Sequence, residues 1–430
     1  MADIEYLKSL QAVRERAQLV LQAACKDELS HFHYNASKMP KVAEFVTGII
    51  TRDFGPDKFD RIPPHGRWQH FDIGNVPRVD RLTEEWQGTG CDKLEVTRRL
   101  VDLFFVSVLL DAGAGDVWKF TEPGTGKAYG RSEGIAVASM YMMKAGAFSS
   151  QTENLLRVDG HGLAALTTDT FRKHFQISAE NPILSDTSRV NLLNSVGSSL
   201  LALPKFFGQD GRPGQLVDYL LQTRNESEQL DFDILWSVLQ ELLLPAWPKD
   251  RTQVAGVPVG DAWPLQVLER VNTNQTGRSE ALHIQPFHKL TQWLAYSITV
   301  PFLRVLGLEW KNVERATGLP EYRNGGLFID LGVLELRDQT LKQGLASSNQ
   351  DIPSFAASSD VIVEWRAMTV ALLDELHKLV SEGLGRQGIR LSLPQMLEAG
   401  TWKGGRELAA QLRPQTKSSP ILIQGDGTLF

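Results

Sequence analysis

Between Thr317 and Leu334 the chain reads TGLPEYRNGGLFIDLGVL. Gly318 and Pro320 interrupt helical periodicity on one side, and Gly325 and Gly326 on the other. The turn between them holds Glu321, Tyr322, Arg323 and Asn324: an acid, a phenol, a cation and an amide. Leu327, Phe328, Ile329, Leu331, Val333 and Leu334 follow as an apolar run. Polar groups in a short turn, backed by a buried helix, make a good seat for a catalytic carboxylate. They also make an ordinary helix start, with Glu321 favouring the positive helix end. On this stretch alone the ordinary helix start is the preferred reading.

Other chemistry-bearing residues are scattered. Asp111 closes the apolar stretch 94–111, and an acid at the C-terminal end of a helix opposes the dipole, so it requires a specific partner. Gly130-Arg131-Ser132-Glu133 opens a helix, with Ser132 as N-cap and Glu133 in the first turn. Structure alone would account for both. The GTGK at 124–127 fails as a phosphate loop: its spacing is not GxxxxGK[ST], and no strand is expected before it. His288, Lys289 and Gln292 lie off the apolar face formed by Phe287, Leu290, Trp293, Leu294 and Ile298, where a lone His or Lys is usually solvated. His31 and His33 lie two apart, without an acid or thiol cluster. No metal site is expected, and no cofactor.

Helical elements must position these groups. Ile4, Leu7, Leu10, Val13, Ala17, Val20 and Leu21 predict one amphipathic helix over 4–24. Residues 60–81, rich in Pro, Gly and polar groups, read as a long ordered loop anchored by Trp68, Phe71, Ile73 and Val76, of the kind that lines sites or merely packs on the body. Residues 94–111 read as a buried helix, and shorter helices are expected at 188–203, 214–223 and 232–244. Trp365, Met368, Leu372, Leu376 and Leu379 mark the clearest amphipathic helix, 361–380. Few segments alternate with period two, so the fold is expected to be mainly α, a multi-helix single domain with long ordered loops. Residues 1–90 would form an N-terminal helix and ordered loop packed on an α-helical core of 91–430.

Apolar residues are 42% and charged residues 22% of the chain, an ordinary globular composition. The net charge of −6 argues against a nucleic-acid polymer as partner but leaves room for a nucleotide-sized ligand. Two cysteines, Cys25 and Cys91, fit a reducing compartment. With no signal-like N-terminus and no run of about 20 apolar residues, the expectation is a cytoplasmic protein without a membrane partner.

The segments RWQHFDIGNV, GRSEGIAVASM, PFHKLTQWL, TGLPEYRNGGLFIDLGVL, VEWRAMTVALLDEL and the terminal DGTLF resemble the uracil-catabolism protein family of fungi and bacteria. Its members belong to a pyrimidine-degradation route through a ribosylurea intermediate. More remotely, the chain is similar to the queuosine 5′-phosphate N-glycosylase/hydrolase family, α-helical enzymes that look related to helix-hairpin-helix DNA glycosylases. That family's F-x-K-x-x-Q-x-L pattern falls on Phe287, Lys289, Gln292 and Leu294. Its Asp-Tyr-Arg signature falls on Glu321, Tyr322 and Arg323, and its Glu-x-Arg helix on Glu364 and Arg366. Its late Leu-Asp…Trp-Asp element falls on Leu397, Glu398, Trp402 and Lys403, and its early aspartate on Asp111 with Trp118. Two departures stand out: the catalytic aspartate has become Glu321, and the last aspartate has become Lys403. The reversed charge implies a different leaving group.

The resemblance implies hydrolysis of the N-glycosidic bond of a ribosylurea, with or without a 5′-phosphate, to urea and ribose. Glu321 would face C1′ and Glu398 would protonate the leaving nitrogen. Lys289 and Lys403 would hold a phosphate or acyl oxygen, and Tyr322 and Trp402 would wall the sugar. Arg323, Gln292, Asp111 and Trp118 complete the implied substrate contacts. Glu364 and Arg366 would pair with each other or fix the 321 turn. Two other readings are a ureide amidohydrolase and a helical protein that binds a pathway intermediate without turning it over. The expected partner is a small ribosyl compound, and the chain would act as monomer or homodimer.

Overall fold

The run 94–111 forms the helix Lys93–Leu109, started by Asp92, whose side chain accepts from the Glu95 amide at 2.7 Å. It is apolar nearly all round and therefore sits inside the protein. Its one fully buried acid, Asp102, is met by Arg212 at 2.8 Å and by the Gly214 amide at 2.6 Å. The helix Lys289–Pro301 packs along it. The third central element is Asp360–Gly385, the expected 361–380 helix extended at its C-terminal end to 26 residues. It packs against Leu10–Ala24 and Met39–Phe54.

This computed structural model describes residues 2–425, apart from 112, 116, 154, 225–228, 249–250 and 273–278. The terminal DGTLF segment lies outside the described residues, as does the Asn-Glu-Ser stretch 225–227, where the sequence predicts a helix break. The architecture is mainly helical, and the described strands form six short two-stranded sheets. One apolar core runs from Leu10 to Ile421, so residues before and after position 90 share it. None of the helices among the described residues is long and apolar enough to cross a membrane.

Several local expectations need correction. The 4–24 segment is two helices, Ala2–Leu7 and Leu10–Ala24. Ser9 breaks it: its hydroxyl donates to the Tyr6 carbonyl and accepts from the Ala12 amide, capping the second helix. The 60–81 loop contains a helical turn, Trp68–Phe71, and its end already belongs to the helix Arg78–Gly88. Trp68 and Phe71 are buried, while Ile73 and Val76 are only half-buried. A strand does precede GTGK: Lys119–Thr121 and Ala128–Gly130 form an antiparallel hairpin that holds it in the turn. Gly130, not Ser132, occupies the N-cap position of Arg131–Lys144.

Candidate active site

Glu321 stands at the N-cap position of the helix Tyr322–Asp330, but its side chain makes no capping bond. The approach to it is pinned. The Gln292 side chain donates to Thr317 Oγ1 at 3.0 Å and accepts from the Thr317 amide at 3.0 Å. The Tyr296 hydroxyl donates to the Thr317 carbonyl at 2.9 Å, and the Asn324 side-chain Nδ2 to the Leu319 carbonyl at 3.1 Å. Gly318 lets this segment lie on Leu373, whose Cδ1 would be 2.5 Å from an added Cβ. Gly405 does the same for the helix Trp402–Leu412, which touches the Arg323 carbonyl where a Cβ would be 2.2 Å away. Backbone held so closely fixes where the Glu321 side chain leaves the chain.

That side chain lines a cavity of about 330 Å³. Its Oε1 is shielded from solvent and has no hydrogen-bond partner among the described residues. Burial raises the Glu321 carboxyl above its ordinary range; Lys289, His65 and Arg323 oppose the rise and Asp111 adds to it. A buried carboxylate without a hydrogen bond is costly, so the site holds an acid that the fold alone does not require.

The structure brings Asp111, Lys289, Glu321, Tyr322, Arg323 and Trp402 to this one cavity. Asp111 finds the partner its position demands in the fully buried Arg67, at 2.6 Å. Burial would raise its carboxyl, but Arg67, His70, the Ser132 hydrogen bond and Lys289 outweigh that and hold it below the usual range. Ser132 thus serves Asp111 rather than a helix start. Lys289 opens its helix just after His288, whose backbone is left-handed (φ 47°). The Lys289 amide donates to Asp261 at 2.9 Å, and Asp261 is gripped by both Arg366 nitrogens, at 2.9 and 2.8 Å. Burial alone would raise the Asp261 carboxyl; the Arg366 fork more than offsets this and depresses it strongly. Arg131 and Lys417 also line the cavity with left-handed backbone, φ 54° and 53°. Such conformations cost about 1 kcal/mol or more each and gather at functional sites.

Other expected residues lie elsewhere. Glu398 is absent from this lining and instead lines an adjoining pocket, where it meets His65 Nδ1 at 2.7 Å. Gln292 is wholly buried and holds Thr317 instead of facing the cavity. Trp118 is a core residue stacked on Phe175, its N–H given to the Phe175 carbonyl at 2.9 Å. Lys403 lines an adjoining pocket of about 450 Å³ and is ion-paired with Asp53. Glu364 and Arg366 do not pair with each other: Glu364 accepts the amides of Ser30, His31 and Phe32, while Arg366 holds Asp261. His288 is not solvated; its Nε2 is 2.8 Å from the Leu7 carbonyl.

Sequence reasoning did not single out His65, His70 or Arg67, nor assign the Glu133–Arg406 ion pair to the cavity. The signal available was the 60–81 loop itself. His65 and His70 there flank Trp293, with centroids at 4.6 and 5.5 Å, and both approach Trp402. His70 is buried, and burial first, then Arg67, lowers its imidazole to about 4. The unfolded chain binds the proton near pH 6.5, so this group's stability is present above that and is lost as pH falls towards 4. Between pH 7 and 5 the loss is about 2 kcal/mol. Urea unfolding of wild type and His70→Gln at both pH values should show the variant losing less; equal losses would assign the acid sensitivity to other groups.

The expected kinship holds along the whole chain. It is 48% identical to Protein urg3 of Schizosaccharomyces pombe over 426 residues, covering 99% of this chain and 98% of that protein. It is 44% identical to Uracil catabolism protein 4 of Lachancea kluyveri over 441 residues, covering 99% of each. The family described as Protein of unknown function (DUF1688) matches residues 6–430, and the chain belongs to it.

Proposed function

We propose that this protein acts in uracil catabolism as a hydrolase of a ribosyl C–N bond, releasing urea and ribose from ribosylurea or its 5′-phosphate. The observation that carries this reading is the unpartnered Glu321 oxygen on the wall of a small-molecule-sized cavity. Breaking the bond at C1′ builds positive charge on the sugar ring, and a carboxylate kept from water stabilises that charge more strongly than one in solution. Asp111, already charged and fixed by Arg67, offers an acceptor for sugar hydroxyls. Tyr322 and Trp402 give the sugar apolar faces. Lys289 supplies a point charge near Glu321 and an anchor for a phosphate or carbonyl oxygen. The name of the Lachancea kluyveri relative supports the pathway.

The test is to incubate the purified protein with ribosylurea and with its 5′-phosphate and analyse both products. Intact urea with free ribose or ribose phosphate is expected. Ammonia or carbamate with the glycosidic bond intact would make it a ureide amidohydrolase, and stoichiometric binding without turnover would make it a binding protein.

A further inference from the structure

We infer that His65, held by Glu398, is the proton donor to the departing nitrogen, and that Glu398 acts only through it, as a positioning residue. The inference deepens the N-ribosyl hydrolase reading above and rests on it. His65 lines the cavity that Glu321 lines, whereas Glu398 lines only the adjoining pocket. The two are joined at 2.7 Å through Nδ1, and among the described residues His65 Nε2 makes no hydrogen bond. A carboxylate that accepts the Nδ1 hydrogen leaves Nε2 as the nitrogen that exchanges protons.

The mounting of this pair is built from two segments far apart in sequence. The His65 amide donates to the Pro394 carbonyl at 3.0 Å. Gln395 donates to the Ile62 carbonyl at 2.9 Å and closes a capping box with Ser392. Immediately after, Leu397–Thr401 forms a π-helical turn that carries Glu398 to the imidazole. Single π-turns of this kind recur at functional sites. Trp293 and Trp402 flank the His65 ring at 4.6 and 6.3 Å and suit a cationic imidazole. His65 and Glu321 line the same cavity, so donor and carboxylate address the same space. His70, also on the cavity wall, has no carboxylate hydrogen-bonded to its ring among the described residues and is held neutral by burial, which leaves it no proton to give near pH 7.

The step balances. The C1′–N bond breaks with its electron pair going to nitrogen, which takes the Nε2 proton of His65. Positive charge on the ring is opposed by Glu321. Water oxygen then bonds to C1′, and the proton it loses returns to Nε2. Urea and ribose are the products, and no other reactant is needed.

The experiment uses ribosyl compounds whose leaving groups are graded in acidity, from urea to 4-nitrophenol, with wild type, His65→Gln, Glu398→Gln and Glu321→Gln. With urea as leaving group, H65Q should lose about 10²-fold or more in kcat. The loss should shrink along the series, to under about threefold at 4-nitrophenol, where no proton is required. E398Q should show the same trend at about tenfold. E321Q should lose activity across the whole series. A loss in H65Q that is uniform along the series would overturn the proton-donor role while leaving the hydrolase reading intact. A wild-type protein that cleaves none of these compounds would overturn that reading and this inference together.

Discussion

Replacing Glu321 with Gln should abolish turnover while making the protein more stable. Gln has the same shape and keeps one acceptor oxygen but carries no charge. If Glu321 opposes developing charge at C1′, kcat for urea release should fall by about 10³-fold or more, with little change in KM. The expected gain in stability follows from the same burial. The folded-state carboxyl is raised above its unfolded value, chiefly by burial, so folding favours the protonated form. That contribution is fully present below the unfolded value and is lost as pH rises through the folded one. Near neutral pH the ionised group therefore weighs against the fold, and the neutral amide relieves it. A higher Tm together with lost activity is the pattern of a residue kept for function at the expense of stability. E321Q that keeps wild-type turnover would remove Glu321 from catalysis, and E321Q with a lower Tm would mean that the acid holds the fold together after all.

How much of this could be read before the fold was known depended on sequence distance. The 321 turn is legible because its punctuation is local: Gly318 and Pro320 before it, Gly325 and Gly326 after it, and an apolar run behind. The 93–109 and 360–385 helices are legible because burial on most sides leaves long apolar runs. The split at Ser9 is less so, because helical periodicity continues across a residue whose hydroxyl competes for the backbone. The His65–Glu398 pair spans 333 positions, and nothing local to His65 points to its partner. The resemblance points to Glu398, but only the fold joins it to His65. Arg366 posed the same difficulty: proximity in sequence favours Glu364 as its partner, whereas both point to opposite sides of one buried helix and find partners 105 and 333 positions away.

That Arg366 contact carries the second large expected effect. Asp261 and Arg366 are almost entirely buried, and the carboxylate also takes the Trp263 N–H at 2.8 Å and the Lys289 amide at 2.9 Å. Arg366 lies over the Phe287 ring, 3.9 Å from its centroid. Arg366→Met would leave Asp261 as a buried anion without a counter-charge, and breaking such a pair costs about 3–5 kcal/mol. Arg366→Lys returns the charge but not the two-pronged geometry and should recover only part of that. The double variant Asp261→Leu, Arg366→Met removes both charges at once and should be markedly more stable than R366M in urea unfolding. Turnover should not recover with it, because the Lys289 amide has then lost the oxygen that seats the first turn of its helix beside Glu321. Stability restored without activity is therefore the expected result. If the double variant regained wild-type kcat, the pair would serve only to hold the core, and Lys289 would need no such anchor.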